Sequence, residues 1–253
     1  MRPQTLDYRS VLAIIFFLVS FLLVVALRSS FDGVNANVHS WAVSVNTGSF
    51  IGAAKMIAVV FDIESLLVIT LAVAVVLFAQ RYWRGSVLLL SAMCGAAVLV
   101  EITKTLVYSP RPIDMLVHDT SNSFPSGHVT GSIVFFGVLT YLAWQHWDSS
   151  MARASSGGLY VAITALVGFD RIYLNVHWFS DIIGGCLLGA FWLKFSILIF
   201  QYLIYRTTFI KQYPLQVKKG EATAHKSSHR AHSWRPIKGY LGHCYQFSDQ
   251  GAK

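Results

Sequence analysis

Between Asp170 and Asp181 the sequence DRIYLNVHWFSD gathers an arginine, a histidine and a carboxylate at the junction of two apolar runs. If the chain stays helical or turns tightly from about Tyr173, His177 and Asp181 lie four apart and meet. A carboxylate on one imidazole nitrogen makes the other a better nucleophile, so Asp181 would orient and His177 would attack. Arg171, six residues before the histidine, brings a fixed positive fork to an oxyanion under attack. Such chemistry suits a phosphate. The competing reading is structural: His177 and Trp178 sit at a membrane boundary and Asp181 merely starts the next helix.

Two further clusters carry polar groups that an apolar chain would not otherwise keep. Lys104 is followed by Arg111 and Pro112 in KTLVYSPRP, which sets two cations around helix-stopping prolines as an anion clamp. Alternatively, Lys104 pairs with Glu101 on its own helix and Arg111 is a solvated loop residue. In FPSGH, Pro125 sets the approach to a helix, Ser126 can cap it, and Gly127 lets backbone N–H groups come close to an anion. His128 then faces the same ligand and suits a general acid, giving a proton to the departing oxygen while His177 attacks from the opposite side. An ordinary cap with an interfacial histidine is the plainer alternative.

These clusters need helix ends to hold them. Of the 253 residues, 55% are apolar and 13% charged, with the charge concentrated near the ends, the pattern of a polytopic membrane protein. Spans of roughly 20 residues, enough to cross ~30 Å of hydrocarbon, are expected near Val11–Leu27, Phe61–Gln80, Gly85–Val107, Val129–Trp147, Gly158–Val176 and Ile182–Tyr205. The expected fold is therefore an all-α bundle of six transmembrane helices over residues 1–205, and all six prolines fall outside those spans. The first apolar run reads as a retained span. Residues 28–60 read as an external connection with an interfacial helix, and 206–253 as a flexible or surface-lying basic tail.

Fourteen of the twenty Lys and Arg precede the first span, lie in the second-to-third or fourth-to-fifth connections, or follow the last span. Both termini are then cytoplasmic, and all three clusters fall on the external face of the cell membrane. The net charge of +8 is explained by this retention rather than by nucleic acid. Cys94, Cys186 and Cys244 form no paired spacing, so neither disulfides nor a zinc site is implied. His225, His229 and His232 have helical spacing, but little around them would hold metal ligands rigid. Gly185 and Gly189 form a GxxxG, more often a packing surface than chemistry. Lys194, midway along the last span, either snorkels or pairs within the bundle. Oligomeric state is left open.

In order and on these helix ends, K-x6-RP at Lys104–Pro112, PSGH at Pro125–His128 and R-x5-H-x3-D at Arg171–Asp181 resemble the signature of the type 2 phosphatidic acid phosphatase superfamily, which includes vanadium haloperoxidases. The resemblance implies hydrolysis of a lipid phosphate or diphosphate through a phosphohistidine, without metal or other cofactor. Its nucleophile is His177, the orienting carboxylate Asp181 and the acid His128, while Lys104, Arg111, Ser126, Gly127 and Arg171 hold the phosphoryl oxygens. Those groups are cations or N–H donors, and no carboxylate cluster offers a magnesium site. Polyprenyl diphosphate, phosphatidylglycerophosphate and phosphatidate all fit as the substrate. A membrane phosphotransferase would use the same intermediate. A transporter or lipid-binding protein with a degenerate site belongs to a different class, but transporters keep their charges near the bilayer midplane, whereas these lie at helix ends.

Two positions depart from the family pattern. Asp170 stands where serine usually precedes the arginine, so it turns away from the phosphate, pairs with Arg171, or reflects an unusual substrate. Phe179 replaces a proline that commonly follows His-Trp, which alters the turn that brings Asp181 to His177.

Overall fold

An apolar run in hydrocarbon must satisfy its backbone internally, and a helix does so within one segment. The computed structural model describes residues 8–46 and 48–228 and is all-helical over them. The order is α1 (Tyr8–Ala26), a 3-10 turn (Arg28–Phe31), α2 (Asp32–Val45), α3 (Gly48–Val60), α4 (Ile63–Ala79), α5 (Trp83–Leu106), α6 (Gly127–Trp144), α7 (Ser150–Tyr173) and α8 (Phe179–Ser228). Every expected span meets a helix. By length and apolar character, however, among the described residues only α1, α5, α6 and Phe179–Ile204 of α8 suffice to cross a membrane, with a fifth if Phe50–Val60 and α4 count as one span bent by 55°. The six-span expectation is not reached on that measure. α4 alone has 17 residues. α7 is long enough at 24 residues, but Arg153, Asp170 and Arg171 and a small-residue stretch dilute its apolar content.

Helices α4, α5, α6 and α7 pack in sequence, each against the next. Leu66, Leu88, Leu89, Ala92, Met93, Val134 and Val138 form the buried centre of the α4–α5–α6 contact. Lipid is as apolar as leucine, so a helix gains little by exchanging lipid for an apolar neighbour unless the two surfaces fit closely. Glycines provide that closeness for α8. A Cβ on Gly185 would stand 2.9 Å from Ser126 O, and one on Gly189 3.0 Å from Ile133 Cβ. The GxxxG thus seats α8 against the start of α6. Gly95 likewise receives the Trp192 ring, whose Nε1–H donates to Ala92 O at 2.7 Å. Lys194 is exposed on α8.

The unit from Arg206 onward is helical as far as Ser228. His229 and His232, with the rest of the expected tail, lie outside the described residues.

Alanine substitution separates close packing from helix propensity. A Cβ on Gly158 in α7 would meet nothing within 4 Å, whereas one on Gly185 faces a backbone oxygen. Alanine in a helix is favoured over glycine by up to ~1 kcal/mol, while forced overpacking costs about 1–3 kcal/mol. Gly158→Ala is therefore expected to hold or raise the thermal midpoint of the detergent-solubilised protein, and Gly185→Ala to lower it.

Candidate active site

The chain between α7 and α8 builds the first half of the site. Asn175 takes the left-handed conformation, φ 55°. Its N–H donates to Ile172 O at 2.9 Å and the Val176 N–H to Arg171 O at 3.2 Å, the paired bonds of a Schellman ending for which asparagine is second only to glycine. The chain reverses there and delivers His177, only 6% exposed, to a cleft. Helix α8 begins two residues later, and Asp181 in its first turn gains from the positive end of the helix dipole. Asp181 Oδ2 accepts the Trp178 N–H at 2.9 Å and lies 3.4 Å from His177 Nδ1. The expected contact therefore forms with Phe179 in place of proline, and it leaves His177 Nε2 toward the cleft, 3.4 Å from Arg111 Nη1.

The second half comes from the turn before α6. The Ser126 N–H donates to Asp181 O at 3.1 Å, so this N–H is committed to the scaffold. Ser126 occupies the N-cap position but makes no side-chain cap bond, and its Oγ is buried without a partner. Gly127 opens the helix and His128 follows. His128 Nε2 lies 2.9 Å from Arg171 Nη1, 3.1 Å from Ala58 O and 3.5 Å from Asp62 Oδ1.

Of the readings open for Asp170, the structure has the ion pair. Its Oδ2 accepts from both Nε (3.1 Å) and Nη2 of Arg171, and both residues are buried. Nη1 is thereby the Arg171 nitrogen turned to His128. Arg111 is held as firmly: Nε donates to Ser121 O (2.9 Å), Nη1 to Val176 O (2.7 Å), and Nη2 to Ser121 Oγ (3.1 Å), with Nη2 2.5 Å from Asp119 Oδ2. Lys104 Nζ donates to the same Ser121 Oγ at 3.0 Å.

Arg111, His128, Arg171 and His177 line one cleft of about 300 Å³, together with Asp62, Asp119 and His118 and an apolar wall of Ala58, Val59, Val117 and Val176. The cleft brings together four of the eight residues expected from the sequence. Asp181 stands behind His177, Lys104 connects through Ser121, and Ser126 and Gly127 form the turn beneath His128. Sequence reasoning missed Asp62, Asp119 and Ser121. For Asp62 a signal existed, since an aspartate two residues before Glu64 at the start of an apolar run is an N-cap pattern, and its side chain accepts the Glu64 N–H at 3.2 Å.

Burial sets the electrostatics of the loop-borne groups. It pulls His177 down to about 4 despite the Asp181 contact, so the imidazole is neutral near pH 7 and Nε2 keeps a lone pair for attack. Burial alone would raise Asp119, but the Ser121 N–H and the Arg111 guanidinium outweigh it and hold the carboxyl below its ordinary value. Two cations, two histidines and a carboxylate-oriented nitrogen around one small cleft can bind a phosphoryl group and attack it.

The PAP2 superfamily model matches residues 85–205. Phosphatidylglycerophosphatase B of Bacillus subtilis (strain 168) is 32% identical over 114 residues, 44% of this chain and 56% of that protein. An undecaprenyl-diphosphatase of Sulfolobus acidocaldarius is 29% identical over 133 residues, 48% of this chain and 58% of that protein. The chain thus spans less than two thirds of the length of these curated relatives. The crystal structure of a transmembrane PAP2-type phosphatidylglycerolphosphate phosphatase from Bacillus subtilis superposes with a TM-score of 0.64 at 25% identity, covering 72% of this chain and 93% of that one.

A depressed histidine makes folding pH-dependent. Unfolded, residue 177 takes up a proton near pH 6.5; folded, it resists until about 4, so stability is full above pH 6.5 and falls as pH drops toward 4. The loss reaches about 3 kcal/mol by the lower value. The thermal midpoint is expected to fall between pH 7.5 and 5, and to fall less in His177→Asn, as measured by thermal unfolding in detergent.

Proposed function

Because residues 85–205 match the PAP2 superfamily model, we propose that this integral membrane protein hydrolyses a lipid phosphate or diphosphate through a phosphohistidine. The observation that carries the reading is the opposition of two imidazole nitrogens across one cleft, His177 Nε2 beside Arg111 and His128 Nε2 beside Arg171. His177 Nε2 attacks phosphorus and the P–N bond forms as the ester P–O bond breaks. His128 gives its Nε2 proton to the departing oxygen. Neutral His128 then takes a proton from water, whose oxygen attacks phosphorus, and the P–N bond breaks to restore His177. Arg111 and Arg171 stabilise the charge on the equatorial oxygens, with Lys104 adding positive potential from behind Ser121 and the Ser126–Gly127 turn holding the helix start close. Asp181 keeps the proton on His177 Nδ1.

The names of the relatives make phosphatidylglycerophosphate and polyprenyl diphosphate the leading substrates. A six-span topology supports access from the outer face. α6 starts at the site and α7 ends there, so α7 must run back along α6 through the full depth of the bundle, and its 24 residues suffice for that. With six spans the basic connections fall on the cytoplasmic side together with both termini, and the cleft opens outward at the plasma membrane. A phosphotransferase remains the nearest alternative in chemistry, since an acceptor alcohol could replace water.

Phosphate release from a panel of lipid phosphates and diphosphates by the purified protein tests the assignment; release from none of them would overturn it. The histidines divide the labour differently on an activated aryl phosphate, whose leaving group needs no proton. His128→Ala is expected to recover part of its lost turnover on that ester, because a general acid matters in proportion to the basicity of the leaving oxygen. His177→Ala is expected to stay inactive on both kinds of substrate, and quench-flow labelling of the wild type to find phosphate on His177.

A further inference from the structure

Asp62 sits at the break between α3 and α4, well before the three sequence clusters that supply the rest of the site. Its carboxylate is 39% exposed on the cleft wall and caps α4 through the Glu64 N–H. The same carboxylate has Oδ1 3.5 Å from His128 Nε2. The last-turn carbonyl of Ala58, left without a helical N–H by the break, lies 3.1 Å from that nitrogen. Two acceptors and one donor, Arg171 Nη1 at 2.9 Å, therefore converge on His128 Nε2, and a proton on Nε2 satisfies the two acceptors.

We propose that Asp62 is the positioning residue for the acid step: its charge favours the protonated His128 ring against the charge of Arg171 and turns Nε2–H into the cleft. This rests on the hydrolase reading above. The need for such a group follows from what else faces His128. Arg171 of α7 stands 2.9 Å away, its charge only partly offset by its pairing with Asp170. His177, before α8, and Lys104 of α5 also act on His128, and Arg111, Asp119 and His118 face it across the cleft. Among the described residues, Asp62 is the carboxylate in ion-pair range of the ring. In the reaction His128 Nε2–H passes its proton to the ester oxygen as the P–O bond breaks. The ring is then neutral, and it regains a proton from the water that cleaves the P–N bond. Asp62 itself gains and loses nothing and acts through its charge.

Asp62→Asn tests the charge without the cap, because asparagine caps a helix as well as aspartate. Asp62→Ser, another capping residue, provides a second variant of unrelated shape. Thermal midpoints of both should stay near wild type. The wild type is first assayed for phosphate release from lipid phosphates; its inactivity would overturn the hydrolase reading itself. Given an active wild type, the alkaline limb of the kcat/KM profile on a lipid phosphate is expected to move down by about one pH unit in both variants, the scale of a unit charge ~3.5–4 Å away in high dielectric. At a pH above the limb, the ratio of lipid-phosphate to aryl-phosphate turnover is expected to fall about tenfold. An alkaline limb that stays in place, whether or not turnover drops, would overturn the proposal and leave Asp62 as a helix cap.

Discussion

The two halves of the cleft are fastened together at Asp181. Its side chain accepts the Trp178 N–H and faces His177 Nδ1, while its main-chain carbonyl accepts the Ser126 N–H from the turn before α6. Side chain and backbone of one fully buried residue thus set the orientation of one histidine and the distance to the other. The small residues that follow make this possible. A Cβ on Gly184 would stand 2.4 Å from the Phe124 ring, and Gly185 lets Ser126 O approach. Phe124 in turn stacks on Phe21 of α1 and lies under the Arg28 guanidinium, which donates to Tyr108 O and Ser109 Oγ. The apolar exterior of the bundle and the polar loop between α5 and α6 are joined to the site through the same few contacts.

Charge pairing explains how so many cations share a small space. Arg111 has Asp119 and Arg171 has Asp170. An unpaired guanidinium at this depth would carry a desolvation penalty of several kcal/mol, and a phosphate that arrives later provides compensation only while it is bound. The carboxylates fix where the two guanidinium groups stand. Asp119 is the more exposed partner and lies on the cleft, whereas Asp170 is buried behind Arg171. In the proposed reaction the first pairing would compete with the phosphate, and the second would fix which edge of the guanidinium the phosphate meets.

The candidate site was legible in the sequence to the extent that ionisable residues are expensive in an apolar chain. Lys104, Arg111, His128, Arg171, His177 and Asp181 stood out against their surroundings, and spacing at helix ends brought them together. The pairing of Asp170 could be named only as one of several outcomes, because a carboxylate beside an arginine in sequence can face either way along a helix. Asp62 and Asp119 were missed for a different reason: each lies among polar or boundary residues where an aspartate is ordinary, and only the tertiary approach of α6 gives Asp62 a ring to meet, while Asp119 meets Arg111 through the fold of the α5–α6 connection itself. The helices were legible from apolar run length, and α7 least so, since the residues it contributes to the cleft are those that weaken its apolar pattern. The reversal at Asn175 was expected only as a tight turn, since one asparagine does not announce a left-handed backbone.

The 55° bend between Phe50–Val60 and α4 separates two properties that a straight helix would tie together. The far side of the bend, α4, packs into the bundle with α5 and α6, while the near side contributes Ala58 and Val59 to the cleft wall. One wall of the cleft is therefore set by a different helix from the segments that carry Arg111, His128, Arg171 and His177. A change in the tilt of that segment would reach both the width of the cleft and its chemistry, since Ala58 packs against Tyr173, Leu174 and Val176 and its carbonyl lies 3.1 Å from His128 Nε2.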